Sequence, residues 1–149
     1  MKYIATISFG KDSTVMCDLL LKNNYKVDHI IFADTMLEFP MMYDYKNKVC
    51  EYFKNRYGKE VITTKPTSTF EEWCFGTIKD KNAEYYGAIR GIPMVWVEPC
   101  YWRRESKVKP QEKFLKQLLD NEEYTQYVGF TTDETQRIMN GGGGISCIH

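Results

Sequence analysis

The chain has no excess of charge in either sense: 20 Lys and Arg residues balance 20 Asp and Glu, for a formal net charge of zero. Nonspecific affinity for nucleic acid comes from Lys and Arg displacing counterions, so a nucleic-acid partner is not expected, although local basic clusters remain open. No apolar run approaches the roughly 18 to 20 residues that span a bilayer. The N-terminal MKYIATISFG also lacks a small-residue cleavage site after a long apolar region, so no membrane association and a cytoplasmic location are expected. The five cysteines (Cys17, Cys50, Cys74, Cys100 and Cys147) are odd in number and contain no Cys-x-x-Cys pair. That pattern fits neither a secreted disulfide framework nor a zinc ribbon. Cys17, Cys50 and Cys74 fall in predicted helices beside apolar residues and read as small buried hydrophobes.

What is present is an alternation of strand and helix patterns. Tyr3 to Phe9 is continuously apolar or β-favouring, as a strand buried on both faces should be. A helix follows, with Val15, Met16, Leu19 and Leu20 as its apolar stripe and Asn23 and Asn24 at its end. VDHIIFAD predicts a second strand. Met42, Tyr45, Val49, Tyr52 and Phe53 then recur at helical spacing after Pro40, with Gly58 as the stop. EVITTK predicts a third strand, and Thr69 with Glu72 a capping box for a short helix. Residues 76 to 104 are irregular. Pro110 opens a helix whose Phe114, Leu115, Leu118 and Leu119 face inward, before a last strand in YTQYVGF. Such alternation implies a three-layer α/β domain with a parallel, right-handed crossover sheet. Its expected extent is residues 1–139, with 140–149 a flexible Gly-rich tail.

In such sheets ligands gather at the carboxyl ends of strands. Those ends carry SFGKDS, DTMLEF and TTDE. A loop of Ser8, Phe9, Gly10, Lys11, Asp12 and Ser13 can aim several backbone N–H groups at one point where the helix N-terminus adds partial positive charge. A phosphate or pyrophosphate fits there, with hydroxyl donors from Ser8 and Ser13 and mobile charge from Lys11. Asp12 either caps the helix or helps hold Mg2+. The plainer alternative is an ordinary capped helix start with Lys11 in solvent.

The loop matches neither Gly-x-x-x-x-Gly-Lys-Ser/Thr nor Gly-x-Gly-x-x-Gly. It resembles the Ser-Gly-Gly-x-Asp-Ser pyrophosphate loop of the adenine nucleotide alpha hydrolase-like superfamily, with Phe9 in place of the first Gly. FADTMLEFP resembles the Asp-Thr-Gly-x-x-Phe-Pro segment of the phosphoadenosine phosphosulfate (PAPS) reductase family, with Met36 in place of Gly. CYWRRESKVKP is similar to that family's Cys...Arg...Lys-Val-x-Pro segment, and VGFTTDETQR to its Gly-x-Arg-x-x-Gln/Glu-Ser-x-x-Arg segment, with Thr131 where the pattern has Arg. The resemblance is to small phage-type and mobile-element members. It implies an adenine nucleotide, PAPS or ATP, contacted by Asp34, Thr35, Phe39, Arg103 or Arg104, Lys107, Gly129, Glu134 and Arg137. Members with an iron-sulfur cluster carry cysteine pairs that this chain lacks, so no cluster is expected. The family chain usually continues further, and a C-terminally abbreviated domain is expected.

Arg103, Arg104, Lys107 and Lys109 read as an anion-binding cluster or as a solvated face. Arg90 is a weaker candidate of the same kind. Trp73, Trp96 and Trp102 are candidates for stacking on adenine or for core packing. Cys147 in the terminal SCIH resembles the catalytic cysteine that sulfonucleotide reductases carry on a mobile tail. The resemblance therefore implies attack on the sulfate by Cys147, with Lys11 and Asp12 at the phosphates and thioredoxin or glutaredoxin completing the reduction. Two other functions stay open. One is an ATP pyrophosphatase or adenylyl transferase using Mg2+; the other is a degenerate nucleotide-binding module without turnover. Sulfur modification of nucleic acid is a remoter third.

Overall fold

The computed structural model describes residues 1–92, 100–120, 122–129 and 145–146. In chain order the elements are β1 (Lys2–Ile7), α1 (Lys11–Lys22), β2 (His29–Ala33), α2 (Pro40–Tyr57), β3 (Val61–Thr64), α3 (Phe70–Phe75), α4 (Tyr101–Arg103), a π-helical turn (Arg104–Val108), α5 (Lys109–Leu119), β4 (Tyr124–Tyr127) and β5 (Ile145–Ser146). The strands form one sheet ordered β3-β2-β1-β4-β5, and every pairing is parallel. The expected α/β architecture is the one observed.

Alternation along the central strands sorts the core into two layers. Ala5 and Ile7 of β1, with Ile30 and Phe32 of β2, pack against Met16, Cys17 and Leu20 of α1 and Val49 and Phe53 of α2. Ile4 and Ile31 point the other way, onto Leu115 and Leu119 of α5. The chain moves outward in one direction from β1 to β3, then returns to place β4 on the far side of β1. With right-handed crossovers, that reversal sends the returning helix to the opposite face. The carboxyl ends of β1 and β4 therefore flank the topological switch point.

Three local expectations change. The buried stripe of α1 is Met16, Cys17 and Leu20, whereas Val15 and Leu19 are exposed, because the sheet meets the helix one residue further round than the apolar spacing implied. Helical structure begins at Tyr101 rather than at Pro110. The proline ring excludes the carbonyl four residues back, and the π turn before it accommodates that clash by bonding Lys109 N–H to the Arg104 carbonyl. Finally, the Gly-rich segment carried no strand signal, yet Ile145 and Ser146 pair with Gln126 and Tyr127 at the sheet edge. The expected stops and caps are in place elsewhere. Gly58 closes α2 at φ 63°, and Thr69 and Glu72 form both bonds of a capping box.

A polar clasp joins the first two helices: Tyr52 and Tyr57 both donate to Asp18 Oδ1, at 2.9 and 2.8 Å. Desolvation, then the Asp18 hydrogen bond, pushes the Tyr57 phenol up from 10.0 to about 12. Desolvation and then Asp34 do the same to Tyr43, and burial alone pushes the Cys17 thiol from 9.0 to about 12. Each group keeps its proton longer folded than unfolded. Their stabilising contribution is thus complete below about pH 9 and is lost as pH rises toward 12. Urea midpoints should fall between pH 8 and pH 11, and Asp18→Asn should flatten the fall; an unchanged midpoint would contradict these environments.

Candidate functional site

At the carboxyl end of β1 the chain turns through Ser8, Phe9 and Gly10 into α1. Phe9 adopts φ 57°, a left-handed conformation disfavoured for residues with a side chain. Its ring is held in the core at 2% exposure, edge-on to Phe32 with centroids 4.9 Å apart. Ring burial offsets the backbone strain, so the loop keeps a glycine-like turn without glycine. Gly10 is the N-cap and supplies no side chain, and Asp12 sits in the first turn rather than at the cap.

The N–H groups of Lys11, Asp12 and Ser13 have no intrahelical acceptor at this helix start. The hydroxyls below them form a compact net. Ser8 N–H donates to Ser13 Oγ at 3.1 Å, and the Ser8 and Ser13 hydroxyls lie 3.0 Å apart. Ser13 Oγ also donates to the Gly10 carbonyl at 3.2 Å, as Thr14 Oγ1 does at 2.9 Å. The net fixes the loop without using these N–H groups.

Beside this loop lies a cavity of about 340 Å³. Ser8, Gly10, Asp12 and Ser13 form its floor, Gly129 closes the β4 side, and Lys107 and Gln111 descend from the opposite wall. Gly129 has a steric reason to be glycine: a Cβ there would stand 3.1 Å from Ser13 Cα and 3.3 Å from Ser13 N. The end of β4 thus backs directly onto the first turn of α1. A neutral-to-cationic wall facing a helix N-terminus is suited to an oxyanion.

Of the predicted basic cluster, only Lys107 reaches the cavity. Arg103 and Arg104 are exposed and do not line it, and Lys109 pairs with Glu105. Lys11 is exposed at the edge of the loop, Phe9 is buried in the core, and neither lines the cavity. Gln111 was missed by sequence reasoning. The usable signal was its place four residues before Leu115, on the stripe that faces the sheet.

The β2 end is a separate, self-bonded loop. Asp34 is 2% exposed; its Oδ1 accepts from Met36 N–H and from the Tyr43 hydroxyl, both at 2.9 Å, and Lys65 Nζ lies 3.6 Å from Oδ2. Thr35 Oγ1 donates to Glu38 and accepts from Leu37 N–H. Met36, like Phe9, is left-handed, at φ 61°. Asp34 and Thr35 therefore shape this loop rather than line the cavity, and Phe39 stands beyond them at 80% exposure.

Trp102 is buried against Phe70 and Trp73, with centroids 5.3 and 5.9 Å away. Arg90 lies over Trp73 and donates to the Trp73 and Thr77 carbonyls. These aromatics are packed together, and Arg90 is committed to holding the segment after α3. Cys17 and Cys74 are buried with thiols pushed up by desolvation, and Cys100 is half-buried at the start of α4. Trp96, Thr131, Glu134, Arg137, Cys147 and His149 lie outside the described residues. Among the described residues no three His, Cys, Asp or Glu side chains form a metal-holding group, and no helix is long and apolar enough to cross a membrane.

Fold and cleft together define an open parallel α/β domain with a cavity at its topological switch point. The chain belongs to the phosphoadenosine phosphosulfate reductase domain family: residues 2–125, from β1 to the start of β4, match that family's model. No curated protein matches the chain.

Proposed function

We propose that this domain binds an adenine nucleotide with its phosphates at the α1 N-terminus, and that the nucleotide is PAPS or a related sulfonucleotide. The observation that carries this reading is the switch-point cavity, where the first turn of α1 faces Lys107. Family membership supports the sulfonucleotide choice. The α1 N–H groups and Lys107 would hold the bridging phosphate and sulfate oxygens and stabilise charge on the leaving phosphate. A thiolate attacks sulfur, the S–O bond to phosphate breaks, and adenosine 3',5'-bisphosphate leaves. A dithiol such as thioredoxin or glutaredoxin then cleaves the enzyme thiosulfonate, releasing sulfite and becoming the disulfide. Cys147 is proposed for the attack because the SCIH around it resembles the tail that carries the catalytic cysteine of sulfonucleotide reductases; burial raises the Cys17 and Cys74 thiols and keeps them protonated.

A second reading, ATP pyrophosphatase or adenylyl transfer, is favoured by one observation: Asp12 is among the residues lining the same cavity. With triphosphate oxygens it could complete a Mg2+ shell, since Mg2+ usually takes one or two carboxylates beside phosphates.

Lys107→Ala is expected to weaken adenosine 3',5'-bisphosphate binding by about tenfold or more, the scale of one charge-assisted hydrogen bond, with little change in melting temperature. Calorimetric titration at low salt measures it. Turnover of labelled PAPS with dithiol, abolished in Cys147→Ser, is the expected catalytic result. Hydrolysis of ATP only with Mg2+ would instead select the second reading, and binding of both nucleotides without turnover would leave a binding module.

A further inference from the structure

Gln111, Leu115 and Leu119 recur every four residues along one face of α5, and Lys107, in the π turn before it, lines the same cavity as Gln111. Leu115 and Leu119 seat α5 on Ile4 and Ile31. One turn nearer the helix start, the same face passes beyond the sheet and becomes the wall of the cavity, presenting Gln111, with Lys107 also lining it. Both side chains are half-buried, so water only partly competes for them.

Among the described residues, the formal charges lining the cavity are Lys107 and Asp12, and they cancel. Beside Lys107, recognition of an oxyanion then draws on neutral donors, and a carboxamide offers two N–H donors without adding charge. We infer that Gln111 is a ligand-contacting residue, donating from the α5 wall to a terminal phosphate or sulfate oxygen of the anion held by the α1 loop. The inference rests on the anion reading of the cavity.

The test titrates wild type, Gln111→Leu, Gln111→Glu and Gln111→Lys with inorganic pyrophosphate and, in parallel, adenosine 5'-phosphosulfate at fixed ionic strength. Gln111→Leu should weaken the ligand whose terminal group reaches the wall by about five- to tenfold. Gln111→Glu should weaken it more than tenfold, and Gln111→Lys should tighten it several-fold, because like charge repels and opposite charge attracts at this distance. Melting temperatures should stay together. The ordering by charge reports that the side chain stands near the anion, and the loss in Gln111→Leu reports the hydrogen bond it donates. Equal affinities across all four proteins for both ligands overturn the inference while leaving the cavity an anion site; failure of wild type to bind either ligand overturns the anion reading itself.

Discussion

Phe9→Ala is expected to destabilise the domain by about 3–5 kcal/mol, and Phe9→Gly by about 1 kcal/mol less. The first figure is that of deleting a buried phenyl ring, here one that packs on Phe32 with almost no exposure. The difference between the two variants isolates the backbone. Alanine keeps the cost of a side chain at φ 57°, whereas glycine removes it. Against a typical stability of about 5–15 kcal/mol, either loss is large. Paired urea titrations measure both. Alanine and glycine variants of equal stability would mean that the turn is not strained, and that Phe9 is tolerated there for another reason.

The second large effect is on binding. Gly129→Val is expected to lower affinity for inorganic pyrophosphate by well over tenfold and stability by about 1–3 kcal/mol. The added carbons would meet the Cα and N of Ser13 and the carbonyl carbon of Asp12, all backbone atoms at the start of α1. Backbone cannot swing aside as a flexible side chain can. The first turn must shift, and the N–H groups that converge on the cavity shift with it. Gly129→Ala should give a smaller loss in the same direction. Lys107→Ala provides the contrast, with weakened binding at nearly unchanged stability. Wild-type pyrophosphate affinity in Gly129→Val would mean that the anion does not sit on this helix end.

Much of the scaffold was legible because its signals are local. An unbroken apolar β1, a stop at Gly58 and the Thr69–Glu72 box each depend on residues a few positions apart, and the structure places each accordingly. The loop at Ser8 to Ser13 was legible for the same reason, as a strand running into a helix with small polar residues between. The opposing wall was not. Arg103, Arg104 and Lys107 look equivalent in sequence, yet of the three Lys107 alone lines the cavity, and it sits in a π turn where spacing rules, which assume an unbroken α-helix, do not apply. Gln111 reads as one more polar residue of an amphipathic helix until the helix is seen to overhang the sheet edge. At Phe9 and Met36 the sequence departs from its family's glycines while the backbone keeps the left-handed geometry that glycine favours. Residue identity alone would have argued for a changed loop.

The π turn also couples two parts of the molecule that share no contact. In an α-helix, residues five apart point about 140° away from each other. Where hydrogen bonds span five residues instead of four, they come nearly into line. Trp102, clamped between Phe70 and Trp73, and Lys107, over the cavity, are such a pair. Ser106, fully buried and bonded back to the Trp102 carbonyl at 2.7 Å, fixes the rotation between them. The aromatic cluster thus acts as the anchor that sets the angle of the cavity wall. Turning 104–108 into an α-helix without shortening it would swing Lys107 roughly a quarter turn relative to Trp102, whereas deleting one residue there would restore the alignment on a plain α-helix.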